Sequence, residues 1–268
     1  MVIVIRHLLL LCSCATVLTA DRTVRRLTYK LDSDITALVG DSIINYEVTH
    51  IESSAVMSTL EIETEQWVHD CCFIITAQPV MRIRLKQETN YPKVTAYLRV
   101  RTPLSSIVMT GTGKILSSNA LQSETLTVEL SGTSSAQLHV EVASKLDVLI
   151  SGTGAIALTG HVKGTGYIRL TGAGEFDGRA CPMTTAIVDV TGVGTAYVVG
   201  EQAVDVAIGG VGHVYYHGPL RNQRVNGLGS IDSLTNADAR ALKSSTIAGK
   251  SMNFFLLLFT CAYVRVRA

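Results

Sequence analysis

Near the end of the chain, Tyr197, Tyr215, Tyr216 and His217 gather with Arg221 and Arg224 close by. Aromatic and guanidinium groups carry much of the energy at recognition surfaces, by stacking on a sugar ring or filling a pocket in a partner. Strand alternation sends Tyr215 and Tyr216 to opposite faces, so at least one belongs to the core. Tyr216, His217 and Arg221 are the expected binding residues, for an unidentified surface glycan or protein. Tyr215–Arg224 also departs most from the repeat described below, as segments that carry function often do.

Acid–base chemistry would need carboxylates clustered on one face, or an acidic set holding calcium. The outward slots of successive repeats hold Glu129, Leu149, Arg169 and Asp189 in one line and Asp147, Tyr167, Ile187 and Asp205 in another. Neither line sets two carboxylates on neighbouring repeats, and Arg169 beside Asp189 reads as a solvated pair. Gly209–His213 echoes a calcium-binding nonapeptide once, with His213 where Asp is needed. After Gly172 and Gly174 the next glycine, Gly178, falls one residue late for a dinucleotide fingerprint, and Gly249-Lys250-Ser251 lacks the spaced glycine of a phosphate loop. Ser151 is not in a nucleophile elbow, and His139, His161, His213 and His217 are scattered. No catalytic, cofactor or metal residues are expected.

The glycines belong instead to a repeat. Alternating apolar residues, a small polar residue, a Gly-x-Gly-type turn and a returning apolar residue recur seven times, led by Gly111, Gly132, Gly152, Gly172, Gly192, Gly210 and Gly227. The period is about 20 residues, the mark of a stacked architecture. Two and four residues before the glycine stand Ile107/Met109, Val128/Leu130, Val148/Ile150, Ile168/Leu170, Val188/Val190 and Val206/Ile208, the pattern of a strand with one buried face. The glycines supply positive φ or close backbone approach at a corner. One repeat cannot bury its apolar face alone, whereas stacked neighbours can. The expected fold is all-β, a parallel β-helix or β-solenoid.

Three passages resemble the head GIN domain, a family of auto-transporter adhesins: Lys93–Gly113, the Ser151–Gly154 turn with its sisters, and Gly210–Ile231 with its Tyr-x-Gly-Pro segment. The likeness spans about Asp21–Leu234. Where the family usually carries Asp after the second glycine, this chain has Lys114, Ser135, Ala155, Glu175, Thr195, His213 and Ser230. No acidic ladder is therefore carried over. The resemblance implies the solenoid fold and an extracellular setting, and no reaction.

Lys+Arg 23 against Asp+Glu 22 leaves no basic field for nucleic acid. Residues 1–20 read as a secretory signal peptide, with Arg6 and His7 before the apolar Leu8–Cys12 and cleavage after Ala15 or Ala20. Residues 21–100 read as short strands that cap the stack, 101–235 as the repeats, and 236–251 as a linker opening on a short helix at Asn236–Leu242. In 252–268, the apolar Met252–Val264 follows the small residues Ser244, Ser245 and Thr246, as in a glycolipid-anchor (GPI) signal. The closing Arg265 and Arg267 suit a short membrane span instead, and a buried strand is a third option. The first two tether the domain to a membrane from outside.

Among the mature cysteines, geometry permits Cys181 to pair with Cys71 or Cys72, Cys72–Cys181 being the expected disulfide and three unpaired thiols the alternative. Adjacent Cys71 and Cys72 sit closer than the usual disulfide range. The composite expectation is a non-catalytic structural or adhesion-type surface module. A carbohydrate-active β-helix enzyme is the alternative, and an end-to-end scaffold a third.

Overall fold

An apolar residue at every second position makes one side of each strand water-averse, and parallel stacking hides that side without an edge. In the computed structural model, which describes residues 2–4, 21–31, 34–52, 57–77, 79–86 and 91–234, this produces a β-solenoid. The strands are β1 (Val2–Val4), β2 (Val24–Lys30), β3 (Ala37–Gly40), β4 (Asn45–His50) and β5 (Thr59–Glu65); then, after the short helix α1 (Gln66–Cys71), β6 (Phe73–Ala77), β7 (Val80–Leu85) and β8 (Thr95–Val100). The repeats supply β9 (Ser106–Met109), β10 (Lys114–Ser117), β11 (Leu121–Leu130), β12 (Ser135–Ile150), β13 (Ala155–Leu170), β14 (Glu175–Ala180) and β15 (Met183–Val190). The last coils are β16 (Val193–Ile208), β17 (Val211–His217), β18 (Leu220–Val225) and β19 (Ser230–Ser233).

Each coil has a first arm after its glycine corner and a second arm leading to the next corner. β12 and β13 run through both arms and pair in parallel, Ser135 with Ala155 on the first and Ile150 with Leu170 on the second. Ile107, Met109, Val128, Leu130, Val148, Ile150, Ile168, Leu170, Val188, Val190, Val206 and Ile208 all point into the core and are buried. Ile115, Ala136, Ile156, Phe176, Ala196 and Val214 fill it from the first arms.

At the corners close approach, not positive φ, demands glycine. A β-carbon built on Gly132, Gly152, Gly172, Gly192 or Gly210 would lie 2.0 to 2.2 Å from the carbonyl oxygen of the leading glycine one coil earlier. The glycines with positive φ, Gly160 (106°) and Gly218 (118°), sit away from this line.

The N-terminal segment extends the same stack without glycines at its corner. β3 and β4 turn through Ser42 (φ 83°), and the Thr112 N–H donates to the Ser42 carbonyl at 3.0 Å. This coil is flanked on one side by β9 and β10 and on the other by β7 and β8. Order along the stack therefore differs from order along the chain. Beyond it, β6 pairs antiparallel with β7, β5 antiparallel with β8, and β2 antiparallel with β5. Reversing strand direction gives this end an edge unlike the repeated parallel one, which would otherwise template further coils.

The expected Cys72–Cys181 disulfide is not formed, nor are there three free thiols. Cys71 is bonded to Cys72 at the end of α1, and Cys181 is a buried free thiol. Cys72 lies in the terminal cap and Cys181 between β14 and β15. With coils stepping about 4.8 Å, several intervening coils put the pair far outside the roughly 7 Å that a disulfide spans between Cα atoms. Burial, followed by the nearby Glu141 charge, pushes the Cys181 thiol up to about 12.

Of the expected signal peptide, Val2–Val4 is described, paired along Thr28–Lys30. The rest of it, the linker with its helix, and the C-terminal tail lie outside the described residues. Among the described residues no helix is long and apolar enough to cross a membrane.

Candidate functional site

Outside the core, parallel register turns single side chains into ladders. On the first arms one ladder runs Ala155, Glu175, Thr195, His213, Ser230, and its neighbour runs Ala157, Asp177, Tyr197, Tyr215, Asp232. Both become chemically rich in the last coils. Tyr197 and Tyr215 stack with ring centroids 5.0 Å apart and planes 11° from parallel.

Arg179 joins them through a bulge. The register slips between Ala157 opposite Asp177 and Thr159 opposite Ala180, so the bulged strand carries one extra residue and re-aims its side chains. Gly178 permits this, since a β-carbon there would lie 2.7 Å from the buried Phe176 ring. The Arg179 guanidinium sits 4.4 Å from the Tyr197 ring centroid. Its Nε and Nη2 donate to the two Asp177 oxygens at 2.9 and 2.7 Å.

Glu175 lies beside this group, half-buried. Burial, then the Asp177 charge, raises its pKa against the opposing pull of Arg179. At the lower end, Ser230 Oγ donates to Asp232 Oδ2 at 2.6 Å, and His213 Nδ1 lies 2.9 Å from the same Oγ.

A carboxyl with a raised pKa beside a second carboxyl is the beginning of an acid–base pattern. Here, however, Arg179 already engages both oxygens of Asp177. In the Ser230 trio the hydroxyl proton goes straight to Asp232, whereas nucleophile activation places histidine between serine and acid. A groove of about 500 Å³ lies elsewhere, lined by Pro103, Gln122, Ser123, Glu124, Glu141 and Lys163. Among the described residues no three His, Cys, Asp or Glu side chains are grouped to hold a metal. The arrangement is suited to recognition.

Glu175 gives a pH test. With its folded pKa above the unfolded value, its stabilising contribution is complete at low pH and is lost as pH rises through the folded value. Glu175→Gln should therefore gain melting temperature relative to the parent chain between pH 4 and pH 7. A relative loss over that interval would show that the carboxylate is stabilised where it stands.

The expected binding residues are spread apart. Tyr216 is half-buried and packs against the core, closing the last coils from inside. His217 shares the outward side of Tyr215. Arg221 lies on the second arm, where its Nε donates to Asp205 Oδ1 at 3.0 Å and its Nη2 contacts Oδ2. Arg169 pairs with Asp147 at 2.9 Å instead of with Asp189. In the sequence Glu175 is named only as one residue of the slot after the second glycine, and Asp177 and Arg179 are missed because the search for paired carboxylates covered the lines before the glycines. Glu175 and Asp177 stand three and five residues after Gly172, on one side of a strand.

The family model described as "Putative auto-transporter adhesin, head GIN domain" matches residues 45–219, from the start of β4 to the turn before β18. The chain belongs to this family. Its head GIN domain is also similar to solved structures. A "putative adhesin" of Bacteroides fragilis NCTC 9343 superposes with a TM-score of 0.73 at 19% identity, over 80% of this chain and 98% of the other. A "putative adhesin" of Parabacteroides distasonis ATCC 8503 gives 0.62 at 19% identity, over 80% and 98%. A "putative lipid binding protein" of the same organism gives 0.64 at 15% identity, over 81% and 98%. At these identities the likeness is one of fold. No curated protein matches the sequence.

Proposed function

We propose that this head GIN domain is a non-catalytic, adhesion-type module of the cell surface, tethered through its C-terminal tail. Family membership supports the class and the extracellular setting. The observation that carries the binding reading is the Arg179–Tyr197–Tyr215 stack, flanked by Glu175, His213 and Asp232, on the outer face of the last coils. A rigid parallel sheet holds these groups, so little ordering entropy is lost when a partner docks. Tyr197 is covered on both sides, by Arg179 and by Tyr215. The partner therefore meets the outer edge of the stack and the Tyr215–Asp232 step. Hydroxyls, a guanidinium and carboxylates at that edge suit a polar partner, a surface glycan or a protein loop.

The test is binding of the intact chain to arrays of glycans and cell surfaces. The Tyr215→Ala, Asp232→Ala double variant should bind at least about tenfold more weakly, about 1.4 kcal/mol, with an unchanged circular-dichroism spectrum. Undiminished binding would remove this face from the function. Turnover of a polysaccharide would replace the reading with the enzyme alternative.

A further inference from the structure

The residue in the middle of each corner follows a glycine and, except before Ser134, precedes one, so its side chain stands clear of the rod. In the earlier repeats this residue is Thr112, Thr133 and Thr153; in the later ones it is Ala173, Val193, Val211 and Leu228. The N–H groups of Val193, Val211 and Leu228 donate to the leading glycine of the coil before at 2.9, 3.0 and 2.9 Å, so these residues stack at strand spacing. Val193 is 59% exposed, Val211 47% and Leu228 78%. The threonines show that the corner has no need of an apolar residue. The fold does not account for this ridge.

The ridge becomes more apolar toward the end from which the chain departs. Leu234, the last described residue, is fixed there by its N–H donating to the Tyr216 carbonyl at 2.7 Å. The apolar Met252–Val264 lies downstream, and residues 235–251 span at most about 60 Å when fully extended. Arg224, exposed on the second arm, precedes Leu228 by four residues. Aliphatic side chains with an arginine close in sequence match the boundary between lipid headgroups and acyl chains, where apolar groups sink about 5–10 Å and the guanidinium meets phosphate.

We infer that the ridge Val193–Val211–Leu228 beds into the bilayer surface that holds the tether, so that the last coils lean on the membrane. This rests on the C-terminal tethering proposed above. The second arm's edge strand β18 opposes the rival occupant, another copy, because its Arg221 and Arg224 discourage edge-to-edge pairing.

The experiment uses the full chain reconstituted in phosphatidylcholine vesicles, with and without lipids brominated near the headgroup. The single native tryptophan, Trp67, lies in the cap and serves as the internal reference. Leu228→Trp, and independently Val211→Trp, should shift to the blue and be quenched about twofold by the bromines. Thr133→Trp, on the same corner in an early coil, should match the native chain. Flotation with vesicles but no quenching at 228 or 211 would overturn the ridge and leave the tether standing. Failure to float would overturn the tether and the ridge with it. A blue shift set by protein concentration without lipid would assign the ridge to a second copy and overturn the membrane contact.

Discussion

Gly152→Ala should cost about 3–5 kcal/mol in chemical denaturation, at the upper end for a single substitution. The new methyl carbon would lie 2.0 Å from the Gly132 carbonyl oxygen and 2.6 Å from that of Ser131. Both obstacles are backbone, so no rotamer change relieves them. The corner must open, and opening it threatens the bond from the Thr153 N–H to the Gly132 carbonyl at 3.0 Å, with its repeats in the coils on either side. Thr153→Ala, one residue along and exposed, should stay within about 0.5 kcal/mol. Comparable losses at the two positions would show that the corner tolerates a side chain.

Leu170→Ala comes second, with an expected loss of about 2–5 kcal/mol. Leu170 is fully buried, paired with Ile150 in one coil and Val190 in the next. A hole there removes contacts in both directions along the core, and the main-chain ladders hold the coils apart, so neighbours collapse into it poorly. Arg169→Ala, on the opposite side of the same strand, loses an exposed pair with Asp147 and should change stability by no more than about 0.5 kcal/mol. Equal denaturation midpoints for the two variants would reject the inward and outward assignment.

The repeats could be read from the chain because two periodicities coincide there. Alternation fixes which side of Val148–Ile150 or Val188–Val190 is buried, and glycine marks each corner. The N-terminal coil carries the same geometry under different residues. Ser42 turns the corner with a positive φ, and Ile44 takes the place of the second glycine, so neither leaves a recognisable mark. The position of that coil, between β7–β8 and β9–β10, depends on pairings across long stretches of chain that no local pattern encodes.

The candidate site divides in the same way. Tyr197 above Tyr215 follows from the repeat period, whereas Arg179 reaches Tyr197 only because the bulge at Gly178 breaks that period. Arg169 likewise had two acids within reach of adjacent coils, and strand pattern alone does not choose between Asp147 and Asp189. The Cys71–Cys72 bond joins neighbours in sequence, where the expected pairing joined residues separated by most of the stack.

The displaced coil has a consequence for how the rod is assembled during synthesis. Along the repeats a new coil closes onto one about 20 residues earlier, as His139 does with Thr159. The β3–β4 coil must instead wait for partners 69 residues away, as Asn45 waits for Lys114. By loop-closure entropy the longer wait costs only about 1 kcal/mol more, but it fixes an order. Until residues through Ser117 have emerged, the N-terminal coil has an open edge on the side that β9 and β10 will occupy. A chain delivered N-terminus first must hold that edge unsatisfied, while every later repeat can add to the completed base as it arrives. Nascent-chain length, more than overall stability, then decides when the domain first resists a protease.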